Sequence, residues 1–127
     1  MKERIATVTI ALPWFVSEES GTINGYAYAT NWKSRSACRF SVESSIYLHV
    51  DSLGKGLGRI LYEALISELP KRSIHSVIGG LALPNERSVA LHERLGFRKV
   101  AHFTEVGWKF SQWIDVGYWE FLLQSTQ

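Results

Sequence analysis

The chain has 127 residues, of which 46% are hydrophobic and 20% are charged, and its formal net charge is +2. This length and composition fit one domain with one hydrophobic core, which we expect to span residues 1–127. The small, scattered positive charge argues against nucleic-acid binding, and no window of about 20 apolar residues predicts a membrane span.

The cysteine content and the N-terminus both favour a cytoplasmic protein. A single cysteine, Cys38, permits no internal disulfide and no cysteine-rich metal site, so we expect no bound metal. The N-terminal run resembles a signal peptide, but Thr7 and Thr9 interrupt it and Pro13 ends it without a small-x-small cleavage site. Residues 5–12 alternate between small or polar and apolar side chains and predict a first strand.

The next segments predict a hairpin and then a strand with two different faces. Residues 15–18 and 23–32 flank the turn sequence Glu19-Ser20-Gly21-Thr22, which is a hairpin signal. Residues 40–50 predict a strand, and its alternation gives an apolar face and a polar face. The apolar face carries Val42, Ser44, Ile46, Leu48 and Val50, and the polar face carries Glu43, Ser45, Tyr47 and His49.

A helix and a parallel strand follow. Residues 57–69 have apolar side chains at helical spacing, and Pro70 marks the end of the helix. Residues 76–83 predict a strand that is buried on both faces and parallel to the strand before the helix. The predicted inward positions of the helix are Leu57, Ile60, Leu61, Ala64, Leu65 and Leu69.

The last third of the chain completes an α/β domain with a mixed sheet. Asn85 is suited to cap a helix over residues 86–94, and Gly96 stands where a left-handed residue would end it. Val89, Leu91 and Leu95 would face inward. Residues 99–123 predict two antiparallel strands joined near residues 109–113.

The segment between the predicted strand and helix, Leu53-Gly54-Lys55-Gly56-Leu57-Gly58-Arg59, predicts a diphosphate site. Its glycines leave backbone N–H groups bare at a helix N-terminus, where the macrodipole favours an anion. A Walker A loop is excluded because Gly56 follows Lys55, and the dinucleotide fingerprint fails because Arg59 replaces its third glycine. The competing interpretation is a mobile glycine-rich turn.

Six motifs in order make the chain resemble the phosphinothricin acetyltransferase branch of the GNAT superfamily of acetyl-CoA-dependent N-acetyltransferases. The resemblance extends from Pro13 to about Phe121. The motifs are Gly25-Tyr26-Ala27-Tyr28-Ala29, Val42-Glu43-Ser44-Ser45-Ile46-Tyr47, Gly54-Lys55-Gly56-Leu57-Gly58, Pro84-Asn85, Leu91-His92-Glu93-Arg94-Leu95-Gly96-Phe97 and Trp113-Ile114-Asp115-Val116-Gly117.

The resemblance implies a GNAT fold, in which two central parallel strands of a mixed, twisted sheet splay apart and the pantetheine arm of acetyl-CoA lies in the gap. Exposed strand edges suit such binding because they offer unpaired backbone groups. Asn85 would contact the pantetheine region, although a helix cap is its competing role. The residues implied in coenzyme binding are Ile46, Tyr47, Leu48, Leu53, Gly54, Lys55, Gly56, Leu57, Gly58 and Asn85.

Acetyl transfer to an amine requires a neutral amine, a stabilised oxyanion and a proton for the departing thiolate. Glu43 is the candidate base, and the resemblance also implies a substrate-contacting glutamate there. Backbone N–H groups near Leu48 are candidates for the oxyanion. His92 is the candidate acid, because this branch carries a histidine where many GNAT enzymes have a tyrosine. The alternatives are a solvated strand carboxylate and a structural histidine.

The segment before Glu43 borders the acceptor pocket in this family. Arg39 is suited to clamp a carboxylate or phosphinate, which suggests a small amino acid or an analogue such as phosphinothricin or methionine sulfoximine. Ordinary solvated charge is the alternative for Arg39 and Lys33. The implied substrate-binding residues are Trp32, Lys33, Arg39, Phe40 and Glu43.

Two departures from the family pattern bear on the function. Family members have a strand and two helices before the counterpart of Pro13, so either residues 5–12 replace that strand or the chain is truncated and a partner covers its open edge; we expect a homodimer. Leu53 replaces the customary basic residue before the glycines, which predicts weakened coenzyme affinity. The sequence therefore predicts an acetyl-CoA-dependent N-acetyltransferase for a small amine, with a catalytically impaired CoA-binding or assembly module as the alternative.

Overall fold

A seven-stranded mixed sheet with two helices forms the domain in the computed structural model, which describes residues 3–7, 12–32 and 38–123. The strand order is β1-β2-β3-β4-β5-β7-β6. The strands are β1 Glu3–Thr7, β2 Trp14–Glu19, β3 Thr22–Asn31, β4 Ser41–Leu48, β5 Ser76–Leu83, β6 Arg98–Lys109 and β7 Gln112–Leu122, and the helices are α1 Leu57–Glu68 and α2 Glu86–Arg94.

The predicted order of strands and helices is confirmed. The first strand, predicted over residues 5–12, is Glu3–Thr7, and residues 8–11 lie outside the described residues. It pairs antiparallel with β2. The two predicted hairpins are β2–β3 and β6–β7, both antiparallel.

Helix α1 packs a buried stripe against the sheet, as predicted, but one inward position is wrong. Ile60 is 47% exposed, whereas Tyr62 is fully buried. The stripe is centred on Leu61 and Leu65, so the step of about 100° between helical residues turns Ile60 to solvent and Tyr62 to the sheet. A hydroxyl group therefore enters the core beside the apolar side chains.

The two central strands part within the sheet. Parallel pairing of β4 with β5 runs from Ser41–Ser76 to Ser44–Gly79 and stops there, although β4 continues to Leu48 and β5 to Leu83. The expected β–α–β unit and splayed parallel pair are thus confirmed.

The prediction that β5 is buried on both faces is wrong for its second half. Gly80 and Ala82 are exposed. These residues lie past the point where β4 leaves β5, on the face of the sheet opposite α1 and α2. Within the described residues no helix covers that face.

Candidate functional site

A cleft of about 240 Å³ occupies the gap between β4 and β5. It begins where the pairing of the strands ends, at Ser44 and Gly79. Its walls are the two parted strands, and its floor is formed by side chains of α1 and α2. The lining residues are Ser44, Ser45, Ile46, Tyr62, Gly80, Leu81, Ala82, Asn85, Ser88 and His92.

The main chain of β4 turns polar groups into this gap. The His49 N–H donates to the carbonyl of Asn24 in β3 at 2.9 Å, so alternation along the strand directs the N–H and C=O groups of Ile46 and Leu48 toward β5. The β4–β5 pairing does not reach these residues. They are therefore free to bind an amide-bearing ligand as an added strand would. Tyr47 instead stacks its ring on Tyr26, with the centroids 5.2 Å apart.

The cleft continues toward the glycine-rich loop. A second cavity, of about 290 Å³, shares Ile46, Asn85 and Ser88 with the first. Together they form one groove from the strand gap to the N-terminus of α1. The second cavity is lined by Ile46, Tyr47, Leu48, Leu53, Asn85, Arg87, Ser88 and Leu91.

The loop has the geometry expected of an anion site. Gly54 and Gly56 have φ values of 79° and 78°, a left-handed conformation that favours glycine. Gly56 is the N-cap of α1, and as a glycine it has no side chain to hydrogen-bond to the N–H groups of the first turn. Those N–H groups and the positive end of the helix dipole suit a diphosphate.

Arg87 places a cation over this loop. Its Nη1 atom lies 3.5 Å from the position that a Cβ atom on Gly54 would occupy. Among the described residues no ion pair or hydrogen bond engages its guanidinium group. Leu53, which stands where the family has a basic residue, lines the same cavity. Arg87, in the first turn of α2, thus brings a cation to the loop, whereas position 53 carries none.

Asn85 is the N-cap of α2, as predicted. Its Oδ1 accepts a hydrogen bond from the Ser88 N–H at 3.2 Å. Because Asn85 also lines both cavities, the cap fixes the wall of the groove. Contact with a coenzyme arm stays a prediction.

His92 lies under the cleft with both ring nitrogens engaged. Nδ1 donates to the Ser88 carbonyl at 2.7 Å, and Nε2 is 2.8 Å from the Tyr62 hydroxyl. The residue is 1% exposed, and this burial holds the pKa of the imidazole below its ordinary value of 6.5. The ring is therefore neutral near pH 7, so Nε2 accepts the hydrogen bond.

Tyr62 joins His92 to β4. Its hydroxyl lies 2.7 Å from Ser44 Oγ. Burial raises the pKa of this hydroxyl well above its ordinary value, and the nearby charge of Glu43 adds to that rise. Tyr62 therefore keeps its proton.

Glu43 projects from the opposite face of β4. Its Oε2 atom lies 3.4 Å from the position of a Cβ atom on Gly80, and the Tyr118 ring lies 2.9 Å from the same position. Glu43 pairs with Ile78 in the sheet, one residue before the strands part. The carboxylate thus stands at the edge of the gap, on the face away from the helices.

An aromatic pocket of about 340 Å³ lies on that same face. The rings of Trp32 and Tyr118 meet edge to face, with centroids 5.7 Å apart. Tyr118 is shared by the pocket wall and the surroundings of Glu43. The pocket is lined by Trp32, Ile78, Val100, Ala101, Phe103, Tyr118 and Glu120.

The other predicted substrate residues lie elsewhere. Arg39 stacks on the Phe40 ring at 4.4 Å, just before β4, and neither residue lines the aromatic pocket within the part of the chain that is described. Lys33 lies outside the described residues.

Sequence reasoning missed Tyr62, Arg87 and Tyr118. Tyr62 carried a weak signal, since a hydroxyl beside the apolar stripe of a helix requires a partner when buried. Arg87 and Tyr118 carried none, because only the folded chain brings them to the loop and to Glu43.

Two absences hold within the described residues. They contain no cluster of three or more histidine, cysteine, aspartate or glutamate side chains able to hold a metal ion. Neither of the helices formed by these residues has the length and apolar character to cross a membrane.

Comparison with known proteins identifies the family of the chain. Residues 1–117 match the family model described as "Acetyltransferase (GNAT) domain". The chain is 40% identical to the L-amino acid N-acyltransferase MnaT of Escherichia coli over 87% of its own length and 64% of that protein. It is 39% identical to the phosphinothricin N-acetyltransferase of Streptomyces viridochromogenes over 85% of its own length and 59% of that protein.

Solved structures give the same result for the fold. An acetyltransferase of Salmonella typhimurium, solved with its cofactor acetyl-CoA, is 38% identical and has a TM-score of 0.86, covering 91% of this chain and 66% of that one. The phosphinothricin acetyltransferase of Sinorhizobium meliloti in complex with acetyl-CoA is 34% identical, with a TM-score of 0.84, covering 88% and 61%. The predicted GNAT fold is confirmed, and the chain belongs to the GNAT acetyltransferase family.

Proposed function

We propose that this chain is an acetyl-CoA-dependent N-acetyltransferase domain that acts on the amino group of a small amino acid or analogue. The gap between β4 and β5 is the main support for this proposal, because it connects a groove on one face of the sheet with a pocket on the other. The groove to the glycine-rich loop lies on the helix face, and Glu43 and the aromatic pocket lie on the other. A thioester and an amine that enter from opposite faces would meet there.

The groove fits acetyl-CoA along its length. The free main-chain groups of Ile46 and Leu48 would bind the pantetheine arm, and the loop from Leu53 to Gly58 would bind the diphosphate with Arg87 beside it. The Leu48 N–H is our candidate for stabilising the oxyanion. Two of the structural relatives were solved with acetyl-CoA, which supports this assignment.

Glu43 would accept the proton of the incoming ammonium group. Each unit by which the pKa of the amine exceeds the pH costs about 1.4 kcal/mol, so a nearby carboxylate is useful. His92 would be the acid that supplies a proton to the departing sulfur.

The aromatic pocket would receive the side chain of the acceptor. Its walls are apolar apart from Glu120, and its volume of about 340 Å³ accommodates an amino-acid side chain. Trp32 lines it. Arg39 remains the candidate for clamping the acceptor carboxylate, and Lys33 and Phe40 remain candidates for bordering the acceptor site. Relatives named for L-amino acids, methionine sulfoximine and phosphinothricin support this substrate class.

We also propose that the protein is cytoplasmic and that it forms a homodimer. The β6–β7 hairpin exposes large apolar side chains that a second copy would cover. They are Val106, Trp108, Phe110 and Trp113. Sedimentation velocity on the wild type and on Phe110→Ser would test this proposal; a wild type that stays monomeric at high concentration would contradict it.

Calorimetry with acetyl-CoA, followed by free-thiol release over a panel of amino acids and analogues, tests the proposed function. We expect saturable binding and thiol release with at least one amine. Binding without turnover on any amine would support the impaired CoA-binding module instead. No binding of acetyl-CoA would overturn both.

A further inference from the structure

Four polar groups form a continuous hydrogen-bonded chain beneath the cleft. It runs from Ser44 Oγ to the Tyr62 hydroxyl at 2.7 Å, to His92 Nε2 at 2.8 Å, and from His92 Nδ1 to the Ser88 carbonyl at 2.7 Å. Ser44, Tyr62 and His92 are all buried, yet all three line the cleft. The hydrogen-bonded chain therefore links the protein interior to the point where β4 and β5 separate.

Donation along this hydrogen-bonded chain can run in only one direction. A carbonyl oxygen only accepts, so His92 Nδ1 must carry the hydrogen, and Nε2 of the neutral ring holds a lone pair. Tyr62 must then donate to Nε2, and Ser44 must donate to Tyr62. Each donor is thus engaged by the next group in the hydrogen-bonded chain, which leaves the Ser44 oxygen with lone pairs that a group in the cleft can use.

Gly79 makes room for this arrangement. A Cβ atom on Gly79 would lie 2.8 Å from His92 Nε2 and 3.5 Å from Ser44 Oγ. The first distance is too short for any side chain to be tolerated without moving the imidazole. Gly79, the last residue of β5 that pairs with β4, thus also leaves the space that the hydrogen-bonded chain occupies.

We propose that Ser44, Tyr62 and His92 form a proton relay that accepts a proton from the acceptor nitrogen and returns it to the sulfur of the leaving thiol. This inference rests on the proposed acetyltransferase function and deepens it. Ser44 is the cleft-facing end, Tyr62 is the connecting residue, and His92 stores the proton.

The step balances in atoms and charge. As the carbon–nitrogen bond forms, the nitrogen loses a proton to Ser44 Oγ, Ser44 passes its own to Tyr62, and Tyr62 passes its own to His92 Nε2. When the carbon–sulfur bond breaks, the same transfers run in reverse and the sulfur gains the proton. The net products are an amide and a free thiol, and the three side chains end as they began.

The surroundings of His92 suit storage of a proton for a short time. Its free lone pair accepts a proton, and the Ser88 carbonyl stabilises the resulting imidazolium through Nδ1. The buried site disfavours that charge, so the proton returns readily. Glu43 lies on the other face of β4 and would take a different proton, the one that neutralises the ammonium group before attack.

Nitrogen-15 NMR of His92 in the free protein tests the direction of the chain without any turnover. We expect the neutral tautomer with the hydrogen on Nδ1, and a shifted Nε2 resonance in Tyr62→Phe, because that variant removes the hydrogen bond. The tautomer with the hydrogen on Nε2 would overturn the relay.

Single-turnover acetyl transfer tests the function of the relay. In both Tyr62→Phe and Ser44→Ala we expect transfer to slow about 10²-fold, within the range for lost acid–base catalysis, with unchanged affinity for acetyl-CoA. Ser44→Thr keeps the hydroxyl and should restore most of the rate. Tyr28→Phe, on the opposite face of the sheet, is the matched control and should transfer at the wild-type rate.

The outcomes separate the two proposals. Wild-type transfer that persists unchanged in Tyr62→Phe and Ser44→Ala overturns the relay and leaves the proposed function standing. If Tyr62→Phe fails to fold, the pair Ser44→Ala and Ser44→Thr decides alone. A wild type that transfers no acetyl group overturns the proposed function and the relay together.

Discussion

Glu43 and Ser44 are adjacent in the sequence but face opposite sides of the sheet. The period-two alternation of β4 gives the acceptor face a carboxylate and the cleft a hydroxyl. In our proposal, the proton of the ammonium group is taken on the Glu43 side of β4, and the proton that passes from the nitrogen to the sulfur is carried on the Ser44 side. A single shift of register would exchange them.

Glu43→Gln should lower turnover most at low pH and leave the affinity for acetyl-CoA unchanged. At high pH the amine is already neutral and needs no base, whereas at low pH the missing carboxylate costs up to about 10²-fold in kcat/KM. A pH–rate profile of the wild type and the variant measures this difference. Profiles of the same shape would refute the assignment of Glu43 as the base.

Arg87→Gln should weaken acetyl-CoA binding about tenfold at low salt and less at high salt, because exposed charges are screened. Calorimetry at two ionic strengths provides the measurement. Lys71→Gln, an exposed cation beyond the far end of α1, is the control and should bind as the wild type does. An equal loss of affinity for pantetheine, which has no phosphates, would contradict a charge interaction.

At the scale of elements, α2 depends on one side chain for its start. Asn85→Ala should reduce the free energy of unfolding by about 1 kcal/mol, since it removes the cap from Ser88 N–H. Urea denaturation measures the loss. Asn85→Ser keeps a capping oxygen without adding a charge and should retain most of the stability. If its affinity for acetyl-CoA nevertheless falls, Asn85 contacts the coenzyme as well as capping the helix.

Most elements followed from the sequence because their signals are local. The alternation of residues 40–50 and the apolar spacing of residues 57–69 predicted β4 and α1 closely. The exposure of Ile60 and the burial of Tyr62 were not predicted. Both side chains lie at the edge of the apolar stripe, where tertiary packing and not helical spacing determines which side chain is buried. The exposed second half of β5 depends on where β4 leaves it, which no local pattern encodes.

At the scale of the whole molecule, stability should fall as the pH drops below about 6.5. The pKa of His92 is held below 6.5 by burial, so in this range the unfolded chain binds a proton that the folded chain does not. The free energy of unfolding then decreases until the pH reaches the folded-state pKa. Urea denaturation between pH 7.5 and 5.0 should show a shallower decrease in His92→Gln, and equal slopes would contradict the assignment.

The candidate site was predicted only in part, because local sequence patterns do not encode tertiary contacts. Its components on the glycine-rich loop and β4 lie close together in sequence and carry recognisable spacing. Arg87, Tyr118 and Tyr62 reach the site through tertiary contacts with Gly54, Gly80 and Ser44. Motifs therefore pointed to the groove that we propose for the coenzyme. The aromatic pocket and the hydrogen-bonded chain of Ser44, Tyr62 and His92 are seen only in the folded structure.

The early end of pairing between β4 and β5 has a consequence for amide hydrogen exchange. The N–H groups of Val42 and Ser44 lie within the paired part of β4, whereas those of Ile46 and Leu48 open onto the gap. Among the N–H groups of β4 that face β5, those in the first half should therefore exchange deuterium slowly and those in the second half quickly. Saturation with acetyl-CoA should protect Ile46 and Leu48 and leave Val42 unaffected, so the ligand would complete a sheet that the chain leaves unfinished.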